Sequence, residues 1–417
     1  MSRMPITVEE ARDIAKNPYK ADFPLLAARS DLAFLDSAAT SQRPRRVIDA
    51  QARFYETLNA NALRGLYDLS VQATAAIDDA RGKLARHIGV ADRNEVVVCR
   101  NTSEALNIVA GSFARDILRE GDEVCVTAME HHSNLIPWQQ ACRATGAKLT
   151  YLFPDENGVI TAEEMDAKIG PSTRIVAAAH VSNVLGVENP VAEMARRVHA
   201  HGGYLVVDGA QSVPHMDIDV SALGCDFFAF SMHKAFGPFG IGVLWGRRDL
   251  LEASSPFLTG GEMIESVTFE DAVWAGIPDK FEAGTQDAAG IHAAGAAIDY
   301  LESVGMQAVR AREEALMRSC MDTLEALDFV SIVGPADAEA RHGVVSFNVD
   351  GIHPHDVASI LDMQGVAIRA GFHCAEPLLK WLGAGACCRA SLAFYNDESD
   401  IAALGRGLET VWRTFNG

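Results

Sequence analysis

Lys234 stands at a position where a lysine amine could act as a nucleophile. It lies between a predicted strand, residues 226–231, and an apolar, glycine-rich stretch, residues 236–243. A lysine held in such a pocket can lose its proton, and the neutral amine is the reactive form. A solvated surface charge is the usual alternative for a lysine. That alternative leaves the apolar residues on both sides of Lys234 unexplained.

Thr102 and Ser103 follow another predicted strand, residues 95–99, and precede a predicted helix. The first backbone N–H groups of a helix have no partner within it, and together with the helix dipole they attract phosphate. The alternative is an ordinary N-cap, in which a hydroxyl accepts a backbone N–H and Glu104 favours the first turn. The pattern indicates either a phosphate site or a plain helix start.

Asp208 and His131 also follow predicted strands, residues 204–207 and 123–127. A carboxylate directly after an apolar strand is at least half-buried and needs a cationic or hydrogen-bonding partner. A flat imidazole at a strand end could stack on a planar ligand, and the adjacent pair His131 and His132 lacks the i, i+4 spacing of a metal site. The alternatives are a helix N-cap for Asp208 and a polar loop for His131.

Together, a nucleophilic lysine, an acid, a stacking imidazole and a phosphate cradle match the needs of pyridoxal 5′-phosphate (PLP). The sequence has no G-x-G-x-x-G after its early strands, which argues against a nicotinamide cofactor. It also has no G-x-x-x-x-G-K-[ST], which argues against a P-loop nucleotidase. No metal site is predicted. In an open α/β sheet, ligands bind beyond the carboxyl ends of the strands, where these residues stand.

The elements that would position these residues alternate between strands and helices from about residue 94 to residue 244. Short apolar runs predict strands at residues 95–99, 123–127, 148–153, 174–180, 204–207 and 226–231. Helices are predicted between them, including residues 105–119, 135–145 and 191–201. This alternation predicts a large α/β domain with a mostly parallel sheet flanked by helices.

The C-terminal part of the chain follows a different pattern and predicts a smaller α+β domain. Residues 290–327 are predicted as one or two long helices, residues 354–364 and 397–415 as one helix each, and residues 343–349 as a strand. A chain of 417 residues is too long for one hydrophobic core. We therefore predict an N-terminal segment, residues 1–30, that packs on the small domain, a large cofactor-binding domain, residues 31–288, and the small domain, residues 289–417.

Charge and composition exclude several classes of protein. A net charge of −20 would repel nucleic acid and anionic membranes. The first twenty or so residues show no apolar secretory segment, and no apolar run is long enough to span a bilayer, so a cytoplasmic location is predicted. The 8 cysteines include no C-x-x-C pair, which argues against a disulfide framework and a zinc site.

Several ordered motifs resemble those of the class V aminotransferase family, PLP enzymes of fold type I. Within that family, the motifs resemble those of the Suf-type (group II) cysteine desulfurases. The matching segments are residues 35–41 (LDSAATS), 129–134 (MEHHSN), 181–186 (VSNVLG), 208–211 (DGAQ), 281–285 (FEAGT) and 369–375 (RAGFHCA). The resemblance runs in register from about residue 35 to the C-terminus, so it covers both predicted domains.

The resemblance implies a role for each matching residue. Lys234 would bind PLP covalently and would be catalytic, together with Cys374 and His131. The cofactor-binding residues would be Lys234, Asp208 at the ring nitrogen, Gln211 at the ring hydroxyl, His131 on the ring face, and Thr102, Ser103, Ser231 and His233 at the phosphate. Thr285 would reach the phosphate of the neighbouring subunit, which implies a homodimer with shared active sites. The substrate-binding residues would be Asn183, Arg389, Arg369 and Ala38.

Cys374 is the cysteine whose surroundings suggest reactivity. Arg369 and His373 are close in sequence, and nearby cations stabilise a thiolate. A buried structural cysteine is the alternative. The resemblance implies that Cys374 takes sulfur from L-cysteine as a persulfide and leaves L-alanine. A sulfur-acceptor protein would then receive the sulfur for iron–sulfur cluster or other sulfur-compound biosynthesis.

The sequence departs from the family pattern beside this chemistry. Phe372 stands where members usually have a second histidine, and Leu63 stands where a histidine is often found. These departures bear on proton handling around Cys374 and on recognition of the sulfur acceptor. A selenocysteine lyase, or another PLP-dependent C–S lyase or aminotransferase, is the alternative function.

Overall fold

The computed structural model describes residues 6–417; residues 1–5, which begin the predicted N-terminal segment, lie outside it. The strands in chain order are β1 (Ala33–Phe34), β2 (Val96–Cys99), β3 (Glu123–Thr127), β4 (Lys148–Leu152), β5 (Thr173–Ala179), β6 (Tyr204–Asp208), β7 (Phe227–Ser231), β8 (Gly242–Gly246), β9 (Ile264–Val267), β10 (Ala272–Trp274), β11 (Val330–Val333), β12 (Val344–Val349), β13 (Val366–Ala367), β14 (Arg369–Gly371) and β15 (Cys387–Ser391). The helices are α1 (Val8–Arg12), α2 (Pro24–Ala28), α3 (Arg45–Thr57), α4 (Asp68–His87), α5 (Thr102–Gly111), α6 (Phe113–Ile117), α7 (Ile136–Thr145), α8 (Ala162–Lys168), α9 (Val191–Ala200), α10 (Val220–Leu223), α11 (Arg248–Ala253), α12 (Ala288–Val304), α13 (Met306–Glu325), α14 (Pro354–Asp362), α15 (Glu376–Trp381) and α16 (Glu398–Asn416).

The large sheet of the described chain has seven strands in the order β2-β8-β7-β6-β5-β3-β4. All neighbouring strands are parallel except at β8, which runs antiparallel to both β2 and β7. The predicted mostly parallel α/β sheet is therefore confirmed. Because the parallel strands end at one edge, the polar segments that follow β2, β3, β5, β6 and β7 meet there.

Helices cover both faces of this sheet because its strands are apolar on both sides. Val96 and Val98 of β2 pack into one hydrophobic cluster, which includes Ile77 of α4 and residues of α12. Val97, between them, packs into the cluster on the opposite face, with Trp138 of α7. Successive side chains of a strand point to opposite faces, so one short apolar run serves two cores.

A smaller antiparallel sheet has the strand order β11-β12-β15-β14 within the described residues. Its apolar face packs against α13, α14 and α16 through residues such as Leu316, Leu361 and Leu408. Arg369 of β14 and Arg389 of β15 are register partners, so both guanidinium groups start from neighbouring positions on this sheet. This is the predicted α+β unit, with its antiparallel sheet.

The N-terminal residues contact this second part of the molecule. Arg312 of α13 donates to the carbonyl oxygens of Ala11 and Asp13 at 3.4 and 3.2 Å. Asn17 donates to the carbonyl oxygen of Tyr395 at 2.8 Å, and β1 pairs in parallel with β13. The domain limits stay predictions. In residues 6–417, the structure contains no helix that is long and apolar enough to cross a membrane.

Candidate active site

A cavity of about 240 Å³ lies at the carboxyl edge of the large sheet, facing β14 and β15 of the small sheet. It brings together all the predicted site residues except Thr285. The lining residues that the sequence predicted are Ala38, Thr102, Ser103, His131, Asn183, Asp208, Gln211, Ser231, His233, Lys234, Arg369, Cys374 and Arg389. The large sheet supplies the floor of this cavity, and the small sheet supplies the two arginines.

One end of the cavity is a cluster of hydroxyl groups at the N-terminus of α5. Thr102 N donates to Ser231 Oγ at 2.7 Å, and the two side-chain oxygens of this pair are 2.6 Å apart. Ser103 Oγ lies 2.6 Å from Ser133 Oγ. Asn101 caps α5 through Glu104 N. Hydroxyls and helix N–H groups in one place suit an anion, and a phosphate role for these residues stays a prediction.

His131 lies on the cavity wall as a neutral imidazole. Its Nδ1 accepts a hydrogen bond from Ser133 N at 3.1 Å, so the ring proton is carried by Nε2. Burial, together with the charge of Lys234, lowers the pKa of His131 to about 3. A ring that stays neutral at all working pH values can stack on an aromatic ligand without a desolvated charge.

Asp208 and Gln211 sit on the buried floor, directly after β6. Asp208 Oδ1 accepts a hydrogen bond from Ala210 N at 2.9 Å, and burial raises the pKa of this carboxyl. Gln211 Nε2 donates to the carbonyl oxygen of Ala38 at 2.9 Å. Within residues 6–417, the buried Gln211 Oε1 has no hydrogen-bond partner. The floor thus offers one acid and one free acceptor to a ligand.

Lys234 is placed by the tight turn that follows β7, and its amine is tuned by its surroundings. Burial lowers the pKa of Lys234 to about 8, and Asp208 opposes this shift. The nearby Arg389 lowers the pKa further, because two positive charges repel each other. A substantial fraction of this lysine is therefore a neutral amine near neutral pH, as nucleophilic chemistry requires.

We predict that cofactor capture by Lys234 follows the titration of this amine. Only the neutral amine attacks an aldehyde, so the rate at which cofactor-free protein takes up PLP rises with pH and levels off above about 8. Stopped-flow absorbance between pH 6 and 10 measures this rate, with Lys234→Ala as the control that captures no aldehyde. A rate that keeps rising tenfold per pH unit up to pH 10 would show an ordinary, unshifted lysine.

Arg389 is a buried cation beside Asn183. Its Nη1 donates to the carbonyl oxygen of Asn183 at 2.9 Å, and its Nη2 lies 3.3 Å from Asp36 Oδ1. Within the described residues, the buried Nε of Arg389 has no partner. A guanidinium with unused donors suits a ligand carboxylate, and the predicted substrate-binding role of Arg389 stays a prediction.

Cys374 lies at the exposed rim of the cavity, whereas the other seven cysteines of the chain are buried. Its loop is held from two sides: Asn183 Nδ2 donates to the carbonyl oxygen of His373 at 2.7 Å, and His132 N donates to that of Cys374 at 2.7 Å. His373 and Cys374 both have positive φ, 50° and 57°. Two adjacent non-glycine residues in this region are strained, so these hydrogen bonds are needed to hold the thiol in place.

The sequence argument that His373 supplies positive charge to Cys374 is wrong. Burial, aided by Arg389, lowers the pKa of His373 to about 3, so the ring is neutral. Its Nε2 lies 3.0 Å from the carbonyl oxygen of Cys387. The positive charges that the cavity contains belong to Arg369, Arg389 and Lys234.

Thr285 lies elsewhere, on the wall of a second pocket that it shares with Tyr55, Leu63 and Glu262. The side chain of Thr285 is exposed. The structure therefore does not bring Thr285 together with the other predicted cofactor-binding residues.

Glu130 is a buried residue that the sequence analysis did not single out. Its Oε1 accepts hydrogen bonds from Thr127 Oγ1 and Ala179 N at 2.5 and 2.9 Å, and its Oε2 accepts one from Asn134 Nδ2. Burial raises the pKa of this carboxyl to about 8. Glu130 links the ends of β3 and β5 and so fixes the loop that carries His131. The sequence does contain a signal for this residue, because an acidic side chain stands directly before His131, just after a predicted strand.

Comparison with known proteins decides the family. The model of the family described as aminotransferase class-V matches residues 33–404. This chain belongs to that family. The match spans both sheets and every residue that lines the cavity, and the members of the family are PLP-dependent. The PLP cofactor and the family predicted from the sequence are thereby confirmed.

Relatives that are similar to this class-V aminotransferase family member over most of its length carry the name cysteine desulfurase. A protein of Halalkalibacterium halodurans named "Probable cysteine desulfurase" is 49% identical over 93% of this chain and 94% of its own. "Cysteine desulfurase" of Haloferax volcanii is 43% identical over 98% and 99%. The solved apo structure of a cysteine desulfurase from Thermococcus onnurineus NA1 superposes with a TM-score of 0.91 at 38% identity, covering 95% of this chain and 98% of that one.

The cavity of this family member fits PLP in its donors and acceptors. The hydroxyl cluster at α5 suits the phosphate, and the free Gln211 Oε1 suits a ring hydroxyl as donor. A protonated ring nitrogen beside Asp208 would offset the cost of burying that carboxylate. Lys234 supplies the amine.

Proposed function

We propose that this protein is a cysteine desulfurase that converts L-cysteine to L-alanine and moves the sulfur to Cys374. The observation that carries the proposal is the position of Cys374, the exposed cysteine, at the rim of the cavity that holds Lys234 and the two arginines. A PLP lysine, a carboxylate site and an accessible thiol are the three groups that this reaction requires. The names of the relatives support the same activity.

Substrate binding uses the groups of the cavity that face each other. Arg389, with its unpaired Nε, and Arg369 bind the α-carboxylate, because a guanidinium can form two parallel hydrogen bonds to it. Asn183 holds Arg389 through its backbone and the cysteine loop through its side chain. The substrate is thereby oriented with its thiol towards Cys374.

The chemistry then divides between Lys234 and Cys374. Bound PLP withdraws electrons from the substrate and so weakens the bonds near its α-carbon. Lys234, as a neutral amine, removes the α-proton, and it returns a proton to the α-carbon once the sulfur has left. The thiolate of Cys374 attacks the substrate sulfur; an S–S bond forms, the C–S bond breaks, and the carbon keeps the bonding electrons and takes up a proton. The products are alanine and a persulfide on Cys374.

We also propose a homodimer with shared active sites. Thr285 lies outside the cavity of its own chain, and the pocket that it lines has exposed apolar neighbours, including Tyr55 and Leu63, at 58% and 44% exposure. Exposed apolar side chains around a site residue suit burial by a second copy. Light scattering on the purified protein measures the mass in solution, and a monomer would contradict the proposal. Transfer of the sulfur to an acceptor protein and a cytoplasmic location stay predictions.

The activity is tested by product analysis. PLP-loaded protein is incubated with L-cysteine and a reducing thiol, and alanine and sulfide are measured. Equal amounts of the two are expected; no alanine would contradict a desulfurase. Rates with L-cysteine sulfinate and L-selenocysteine, measured in parallel, separate the alternatives. Turnover of selenocysteine alone would assign a selenocysteine lyase, and a 2-oxo acid product would assign an aminotransferase.

A further inference from the structure

Asp36 stands between the two arginines of the cavity. Its Oδ1 lies 3.3 Å from Arg389 Nη2, and its Oδ2 lies 3.5 Å from Arg369 Nε. Each carboxylate oxygen therefore serves one guanidinium. The side chain of Arg389 is 3% exposed and that of Asp36 is 20% exposed, so water screens this contact only in part.

The backbone holds Asp36 at this place. Asp36 forms a parallel bridge with Ser391, and its carbonyl oxygen accepts hydrogen bonds from Ala39 N and Thr40 N at 3.1 and 3.3 Å. Ser391 also follows Arg389 on β15, so the carboxylate and the guanidinium start from linked positions. A fixed carboxylate can set the orientation of a long, flexible arginine.

The charges of the cavity require such a group. Arg369 and Arg389 are register partners on neighbouring strands, and Lys234 is nearby, so three positive charges converge. A buried guanidinium without an opposite charge is strongly destabilised. Two of the donor groups of Arg389 are used, by Asn183 and Asp36, which leaves Nε and the remaining Nη protons for a ligand.

We propose that Asp36 is the positioning residue for carboxylate recognition: it holds Arg389 and Arg369 so that their free donors meet the α-carboxylate of an amino acid. The inference rests on the amino-acid substrate of the proposed function. Asp36 does not touch the reacting atoms. Its removal therefore weakens the preference for a carboxylate and leaves the chemical step nearly unchanged.

Binding of the product L-alanine and of its amide, L-alaninamide, tests this role without any turnover. The two differ in the charge that Arg389 recognises, and both are followed by the visible spectrum of the PLP-loaded protein. In Asp36→Ala, the ratio of the Kd for alaninamide to the Kd for alanine is expected to fall about tenfold. For Asp36→Asn, which keeps the shape and one acceptor oxygen, this ratio is expected to lie between the values for Asp36→Ala and the unsubstituted protein. Asp31→Asn is the control, because Asp31 pairs with Arg29 at an exposed site away from the cavity.

Kinetics with L-cysteine add an independent readout. In Asp36→Ala, we expect the KM to rise about tenfold while kcat stays within about threefold. An unchanged ratio of the two Kd values, tighter binding of alanine, or loss of PLP from both Asp36 variants would each overturn the proposal. A protein that prefers alanine but produces none from cysteine would contradict the desulfurase function and leave the role of Asp36 standing.

Discussion

Replacing Cys374 with serine is expected to lower alanine production from L-cysteine on the order of 10³-fold or more. The hydroxyl is a far weaker nucleophile towards sulfur than a thiolate, and the other seven cysteines are buried. The absorbance of bound PLP should be unchanged, because the cofactor is held by Lys234 and the floor of the cavity. Alanine is measured by chromatography, and the variant is compared with the unsubstituted protein at equal PLP content.

A second substrate and a control variant show whether this result is specific to sulfur transfer. L-cysteine sulfinate needs no thiol to remove its leaving group, so Cys374→Ser should turn it over within about threefold of the unsubstituted protein. Cys142→Ala is the matched control, since burial raises the pKa of the Cys142 thiol to about 11 and keeps it unreactive. Full activity of Cys374→Ser on L-cysteine would show that sulfur leaves by another route.

The strand ends explain how far the sequence could predict this site. Lys234, Asp208, His131 and Thr102 are distant in sequence, but each follows an apolar run. Once those runs are strands of one parallel sheet, their carboxyl ends must meet, and the residues that follow them form one cavity. The sheet itself was predictable because buried parallel strands are continuous runs of Val, Ile and Ala.

At two places the local sequence pattern does not predict the element that the structure shows. The strand β8, Gly242–Gly246, begins directly after a glycine-rich turn, and the sequence pattern does not separate the strand from that turn. Residues 105–119 were predicted as one helix, but the helix ends at Gly111 and a second begins at Phe113. Ser112, between them, donates to the carbonyl oxygen of Ser255, a contact that no local pattern reveals.

The electrostatics of the cavity depended on contacts that cross the fold. His373 read as a cation because it is a histidine beside Arg369, but burial against β15 keeps it neutral. Asp36 was part of a recognised motif, yet its pairing with Arg389 becomes visible only when the N-terminal residues lie beside β15. Burial and pairing set pKa values, and both are properties of the folded chain.

Substituting Glu282 with alanine is expected to lower the free energy of unfolding by about 3–5 kcal/mol. Glu282 and Arg81 form a buried bidentate pair, with Nη1–Oε1 and Nη2–Oε2 distances of 2.6 and 2.9 Å. Their side chains are only 5% and 6% exposed. The substitution leaves the Arg81 charge buried without its partner, and it removes the acceptor of Val98 N, 2.6 Å away. Urea unfolding followed by circular dichroism measures the change.

Two further variants separate the buried charge from the mere loss of an ion pair. Glu314→Ala removes a surface pair with Arg310 of 2.8 Å, with 42% and 61% exposed side chains, and should cost no more than about 0.5 kcal/mol. The double variant Arg81→Met with Glu282→Leu leaves no buried charge, so it should be more stable than Glu282→Ala, while roughly 1–3 kcal/mol of the loss remains for the unpaired Val98 N–H. If the double variant is as unstable as Glu282→Ala, an uncompensated arginine is not the cause. Glu282 lies on the segment that leads to Thr285, so the same variants also test whether the buried pair holds this proposed dimer residue in place. The dimer is expected to dissociate more readily in Glu282→Ala than in the unsubstituted protein. In the double variant, dimer stability is expected to return.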